Sequence, residues 1–233
     1  MQNLDNTINI IDKLKSINNH ITILQIGAND GQQSDFVNKF VKENNVTLHT
    51  LEPIPHYYQE LKNYYQNYNN VFTYNYAITN KTGTDYINFI PDNPSMPAWL
   101  KGCSSFFTDR NILSGFIMWD TNGLPIQKYN QEHVLSYIKQ YTQKIPVNCI
   151  TFNDFITKFN IPNIDVLVID TEGYEYQILK QINLNKYPIP VIILEYIYLP
   201  QPSKNGVKSI FARNHYHISY THNNHDIIAV KHM

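Results

Sequence analysis

The sequence predicts an α/β fold: a mostly parallel, doubly wound sheet closed by a C-terminal antiparallel hairpin, with an inserted lid region. Three observations carry this. Short apolar runs alternate with helical periods through residues 20–78, the pattern of a parallel sheet with crossover helices. The later runs at 163–170 (NIDVLVID) and 191–195 (VIILE) are near-continuously apolar in their cores, as strands covered on both faces are. Two alternating segments, 216–220 and 226–230, flank Asn223-Asn224, a hairpin signature.

Taken in order, Leu4, Ile8, Ile11 and Leu14 recur at a helical period over 4–17. Residues 20–26 (HITILQI) read as a buried strand running into Gly27. A helix over 35–43, a strand over 46–51, a helix over 55–68 and a strand over 71–78 follow. Residues 84–90 alternate like an edge strand, and 144–150 are placed to pair with them. Between these lies the segment 91–143, with Pro91, Pro94, Pro97, Gly102, Gly115, Gly123 and Pro125. It reads as loop, then as a helix over 131–141. Helices over 174–182 and 203–213 complete the order.

At 233 residues, the chain fits one domain spanning 1–233, with 91–143 as an insertion and substrate lid. Eighteen basic and 19 acidic residues give a formal charge of −1. No basic stripe is present, which argues against nucleic acid and against an anionic membrane surface as partners. Two cysteines, Cys103 and Cys149, imply no disulfide framework. Residues 1–12 lack a charged-then-apolar leader, and no apolar run reaches the ~18 residues of a spanning helix. The expectation is a soluble, cytoplasmic protein.

The strongest chemical signal is LQIGANDGQQS, Leu24 to Ser34. A strand enters Gly27, Gly31 follows, and a helix is expected next. Glycine permits a sharp turn and close backbone approach, and a helix start offers free N–H groups. The spacing is G-x-x-x-G, without the G-x-G-x-x-G that cradles a pyrophosphate. A ligand with a carboxylate and no phosphate, such as S-adenosylmethionine, fits better. Glu52 follows the second strand in HTLEPIP, where an acid can accept hydrogen bonds from ribose hydroxyls. The bland reading is an acid before a proline turn.

The third signal is DTEGYE, Asp170 to Glu175, after the strand at 163–170. Ligands bind beyond the carboxyl ends of strands at the switch point of such sheets. Asp170 there can orient or deprotonate an acceptor hydroxyl, or help hold a divalent cation. Glu172 stands equally as a candidate and as a helix-start acid. Glu195, ending the strand 191–195, could complete an acidic cluster with both. These three acids are the catalytic candidates.

With these motifs the sequence resembles the FkbM-type methyltransferases, from residue 23 to about 230 with a break in the middle. Gly27 to Ser34 matches G-A-N-x-G-x-x-S, Glu52 to Pro55 matches E-P-x-P, and Asp170 to Glu175 matches D-x-E-G-x-E. Ala77-Ile78 match a short strand ending in alanine plus an aliphatic residue, Cys103-Ser104-Ser105 a serine-rich segment, and Glu195 a strand ending in glutamate. Thr151-Phe152-Asn153-Asp154 stands for T-L-D-[DE], with Asn153 replacing the aspartate. Gln25 stands where the family has aspartate, and the insertion is longer than the family pattern.

The resemblance implies a Rossmann-like class I methyltransferase fold, S-adenosylmethionine as methyl donor, and O-methylation of a small polar or glycan acceptor, such as a sugar. It also implies a cofactor site of Gly27, Ala28, Asn29, Gly31, Ser34, Glu52, Pro53, Ala77, Ile78, Ser104, Ser105 and Asp170. A requirement for metal is left open.

The insertion's Trp99, Phe106, Phe107, Phe116, Trp119 and Tyr129 can stack on a sugar face or form a local core. Asp109, Arg110 and Asp120 are polar candidates. Arg213, His215, His217, His222 and His225 read as a solvated hairpin face rather than a metal site. Tyr58 to Lys62 (Y-x-x-x-K) reads as a surface helix turn. Two other readings stay open: an NAD-dependent oxidoreductase on a similar sheet, and a non-catalytic binding module. The missing third glycine argues against the first, and the retained acids against the second.

Overall fold

The computed structural model describes residues 2–32, 36–43, 45–107, 131–221 and 224–231. Ser34, Asp109, Arg110, Phe116, Trp119, Asp120, Tyr129, His222 and the side chain of Trp99 lie outside the described residues.

Helix α1 (Gln2–Ile17) precedes β1 (Ile21–Ile26), β2 (Val46–Leu51), α2 (Pro55–Tyr64), β3 (Val71–Tyr74), β4 (Ala77–Ile78) and β5 (Gly83–Phe89). Then come α3 (Gln131–Tyr141), β6 (Gln143–Ile150), α4 (Phe152–Lys158), β7 (Val166–Ile169), α5 (Glu175–Leu179), β8 (Val191–Glu195), α6 (Gln201–Arg213), β9 (Tyr216–Tyr220) and β10 (Asp226–Lys231). Single 3-10 turns cover Phe36–Lys39 and Ala98–Gly102. No described helix is long and apolar enough to cross a membrane.

Seven strands form the main sheet in the order β3-β2-β1-β7-β8-β10-β9. The first five run parallel, and β10 pairs antiparallel with both β8 and β9. The order turns back between β1 and β7, which makes their carboxyl ends the topological switch point.

The alternation of side chains along each strand divides the core in two. Leu24, Ile26, Leu167, Ile169, Ile192 and Leu194 face Phe155, Ile178 and Phe211 of α4, α5 and α6. Ile21, Ile23, Val166, Val168, Val191 and Ile193 face Ile11 and Leu14 of α1 and Leu61 of α2. Burial of one such side chain contributes roughly 1.5–3 kcal/mol, so the central strands are fixed from both sides. That rigidity positions the loops at their ends.

Asp165, before β7, accepts from Thr22 N at 2.7 Å and from Asn18 Nδ2 at 3.2 Å. It staples β1 to β7 at the end opposite the loops, which accounts for an acid within an apolar run.

Three sequence expectations change. The run 71–78 is not one strand: β3 joins the main sheet, whereas β4 joins a second sheet ordered β4-β6-β5. The break lies at Asn75, whose Nδ2 donates to the carbonyls of Glu52 and Pro53 at 2.9 and 3.0 Å. The helix expected over 35–43 is, in its described part, the single turn Phe36–Lys39. Here Asn70 Nδ2 donates to the carbonyls of Val41, Glu43 and Val46, satisfying backbone acceptors after the turn and at the start of β2. Finally, α4 forms where no helix was expected. The Thr151 side chain caps it by accepting from Asp154 N at 3.1 Å, the Ser/Thr-x-x-acid signature of a helix start.

Candidate functional site

The carboxyl ends of β1, β2 and β7 converge on one open cleft, the place where sheets of this kind bind ligands. Backbone hydrogen bonds tie its floor together. Gly27 N and Ala28 N donate to Leu51 O, both at 3.0 Å, and Asp170 N donates to Ile26 O at 2.9 Å.

The glycine requirement has a protein origin. Gly27 has φ +86°, and a Cβ there would lie 1.7 Å from the Asp170 carbonyl oxygen. Gly31 has φ +75°, with its Cβ position 2.7 Å from Leu61 Cδ1 on α2. The two glycines let the turn pass between β7 and α2. Gly27 and Asn29 line the cleft. Ala28 is buried in the core beneath it, and Gly31 packs on α2.

Glu52 closes one side. It is only 5% exposed, yet it lines the cleft together with Pro53. Its Oε2 accepts from Asn29 N at 2.9 Å and its Oε1 from Ile54 N at 2.8 Å. The carboxylate therefore locks the glycine turn onto the end of β2. Burial pushes its pKa up to about 7, against the lowering effect of the Ile54 and Asn29 N–H groups, with Asp30 adding a smaller rise. Each oxygen keeps lone-pair capacity for a further donor, so the group can hold the turn and meet a ligand diol.

Ala77, Ile78 and Ile87 form an apolar wall, and Ser104 and Phe106 line the cleft from the insertion side. Ser104 Oγ accepts from Ile90 N at 3.1 Å. Ser105 does not line the cleft; its Oγ donates to the Glu172 carbonyl at 2.8 Å and fastens the insertion to the loop after β7.

That loop carries Asp170, Thr171 and Glu172, all on the cleft. Glu172 has φ +57° and Gly173 φ +105°, consecutive left-handed residues that non-glycine side chains resist. Glu175 compensates: its Oε1 accepts from Thr171 N, Thr171 Oγ1 and Gly173 N at 2.8, 3.1 and 3.0 Å. Burial raises Glu175 to about 7, opposed by these backbone donors and assisted by Glu172. The motif's last glutamate thus shapes the loop rather than facing the cleft.

Glu195 ends β8, is 5% exposed, and does not line the cleft. One oxygen from each of Asp170, Glu172 and Glu195 lies within 4.8 Å of the others, so the expected acidic cluster forms. Burial raises the Glu195 pKa well above the carboxylate range, and Glu172, Asp170, Glu175 and Asp226 add to the rise. The described histidines do not enter this cluster, although His225 Nε2 approaches Glu195 Oε1 at 4.0 Å.

Several cleft residues were not among the site candidates read from the sequence. Tyr57 of α2 lines the cleft and donates through its hydroxyl to Asp92 Oδ1 at 2.6 Å. Lys101 also lines it, with Nζ 2.8 Å from both Asp30 Oδ2 and Glu60 Oε2. Tyr174 lines it and packs against Phe106 and Phe107. Gly102 also lines the cleft, beside Glu172 and Asn29.

The two departures from the resemblance have structural roles. Gln25 is buried in β1 and accepts from Thr50 Oγ1 at 3.0 Å. Asn153 accepts from Lys186 Nζ and Tyr187 OH at 2.6 and 2.7 Å. Tyr58 and Lys62 lie half-buried and exposed on α2, neither of them on the cleft.

The strand order, the glycine turn and the acid after β2 define a Rossmann-like class I methyltransferase fold. The family model of the methyltransferase FkbM domain matches residues 25–226, and the chain belongs to that family. Among solved structures, it is similar to the methyltransferase FkbM from Methylobacillus flagellatus KT, with 12% identity and a TM-score of 0.53, over 91% of this chain and 43% of that one. The chain thus spans less than half the length of that protein. It is also similar to fibrillarin from Aeropyrum pernix, solved with natively bound S-adenosyl-L-methionine, with 9% identity and a TM-score of 0.44 over 90% of this chain and 66% of that one. A further similar structure is a precorrin-6y C5,15-methyltransferase from Geobacter metallireducens GS-15, with 11% identity and a TM-score of 0.43 over 91% and 81% of the two chains. No curated protein matches the sequence significantly.

Proposed function

We propose that this chain transfers a methyl group from S-adenosylmethionine to a hydroxyl of a small polar acceptor, a sugar or glycan. The observation that carries the reading is the cleft flanked by Glu52 on one side and Asp170 with Glu172 on the other.

The residues fit the donor. Glu52 suits a ribose diol, the Ala77-Ile78 wall suits an adenine face, and the backbone of the turn at Gly27 and Asn29 suits the amino-acid end. A dinucleotide fits worse, because Lys101, the described cation on the cleft, is engaged by Asp30 and Glu60. When bound, the donor supplies an electrophilic methyl carbon, whose bond to sulfur breaks as the acceptor oxygen bonds to it.

The chain's own work is alignment and proton removal. Holding two reactants in line can lower a barrier by ~7–11 kcal/mol. Asp170, at the switch point, accepts the proton that the acceptor hydroxyl loses. Phe106 and Tyr174 offer apolar faces to a sugar ring and exclude water. With a formal charge of −1, the partner is a small molecule or glycan rather than nucleic acid or membrane.

The test is incubation with methyl-labelled S-adenosylmethionine and a panel of sugars, read by mass spectrometry. Label on an acceptor oxygen supports the reading; label on none of them, with donor bound, favours a binding module. Asp170→Asn is expected to keep donor affinity and lower turnover at least about 100-fold. Unchanged turnover would remove Asp170 from the proton's path.

A further inference from the structure

The structure points to a use for the acidic cluster that proton removal alone does not explain. We propose that Asp170, Glu172 and Glu195 together hold one hard divalent cation, of the Mg²⁺ or Mn²⁺ class, at the edge of the cleft.

The first ground is geometry. The three carboxylates come from the ends of adjacent parallel strands, β7 and β8, and the loop after β7. One oxygen from each lies within 4.8 Å of the others. Oxygens around a cation with bonds of about 2.0–2.6 Å stand up to about 4–5 Å apart across it. The set needs only a small closure to share an ion.

The second ground is independent of the clustering. Glu195 Oε2 is sealed from solvent and has no hydrogen-bond partner among the described residues. A buried carboxylate oxygen without a donor is costly. Glu52, by contrast, has a backbone donor on each oxygen. The other Glu195 oxygen, Oε1, faces His225 Nε2 at 4.0 Å, too far for a hydrogen bond. His225 is itself held by Asp226, through Nδ1 at 2.8 Å. Glu175 Oε2 is likewise sealed and without a partner among the described residues, but Glu175 Oε1 accepts three hydrogen bonds; a cation among the three acids gives Glu195 the partner it lacks.

The donor set selects the ion. Three carboxylates and no sulfur suit Mg²⁺, Mn²⁺ or Ca²⁺ over Zn²⁺ or Cu²⁺. Asp170 and Glu172 line the cleft whereas Glu195 is buried and does not, so coordination positions left open by the three acids would face the cleft. An acceptor hydroxyl bound there would lose its proton more readily. This role for the ion rests on the proposed function; the binding of the ion does not.

The test is titration of the chelator-treated full chain with Mn²⁺, read by the paramagnetic resonance of free Mn²⁺, with Mg²⁺ as competitor. The expected result is one site, displaced by Mg²⁺. Glu195→Gln and the more accessible Glu172→Gln, each checked for native circular dichroism, should weaken it at least about tenfold, a loss seen even for outer partners of metal ligands. An undiminished free Mn²⁺ signal with the unaltered chain overturns the proposal, as does wild-type affinity in both variants. Calorimetry with S-adenosylhomocysteine on the same preparation separates the two readings. Cofactor binding without Mn²⁺ binding sinks the ion alone, and Mn²⁺ binding without cofactor binding sinks the methyl-transfer reading alone.

Discussion

Glu52 offers a quantitative test, because folding moves its carboxyl from 4.5 to about 7. Its pKa is raised in the folded state, so the folded chain holds the proton more tightly than the unfolded one. Its contribution is complete below pH 4.5 and lost as pH rises through about 7. The charged form then carries about 3 kcal/mol of penalty, at 1.36 kcal/mol per pH unit. Glu52→Gln abolishes this titration. It also sets an amide NH₂ against the N–H of Asn29 or Ile54, both of which now donate to the carboxylate, at a cost of about 1–3 kcal/mol. The variant should therefore be less stable than the parent at pH 5, and the gap should close by pH 8. Urea denaturation across that range reads the difference directly, and other buried acids cancel because both proteins carry them. A gap that stays constant from pH 5 to 8 refutes the reasoning. Donor hydroxyls on Glu52 favour its charged form, so S-adenosylhomocysteine should bind more tightly as pH rises toward 7, and this dependence should vanish in Glu52→Gln.

Two further outcomes follow from the packing. Gly27→Ala drives a Cβ into the Asp170 carbonyl, with a separation of 1.7 Å at φ +86°. It should cost more than about 2 kcal/mol by chemical denaturation, beyond the 1–2 kcal/mol of a left-handed alanine; a smaller loss would mean that the ends of β1 and β7 separate easily. Lys101→Met leaves Asp30, with a side chain 7% exposed, without its cation. The stability loss should be about 3–5 kcal/mol and should shrink in Lys101→Met/Asp30→Asn; an undiminished loss in the double variant would deny the pairing.

Much of the fold was legible because the central strands are covered on both faces, so β1, β7 and β8 read directly as apolar runs. Helix α3 forms over the residues 131–141 expected to be helical. The unread features depend on contacts distant in sequence. Asn75 ends β3 by donating to carbonyls 22 and 23 residues away, and no local pattern announces that. Asn70 likewise serves carbonyls 24 to 29 residues away, between the turn and the start of β2. The start of α4, by contrast, is marked locally by Thr151 and Asp154, the capped helix start that the structure shows.

At the site, Glu52, Asp170 and Glu172 were legible because an acid after a buried strand is conspicuous. The close packing against the glycines was not: a Cβ at Gly27 or Gly31 would meet Asp170 or Leu61, neither of them near in sequence. Lys101 and Tyr57 reach the cleft only through the tertiary fold, and nothing in their local sequence marks them.

The most direct test of the central claim is calorimetric titration of the folded chain with S-adenosylhomocysteine, beside Glu52→Ala. One site on the parent chain, weakened at least about tenfold in the variant, is the predicted result, since a lost charged hydrogen-bond acceptor is worth about 1.5–3 kcal/mol. No heat from the parent chain, or equal affinity in both proteins, would contradict the assignment of this cleft to the methyl donor.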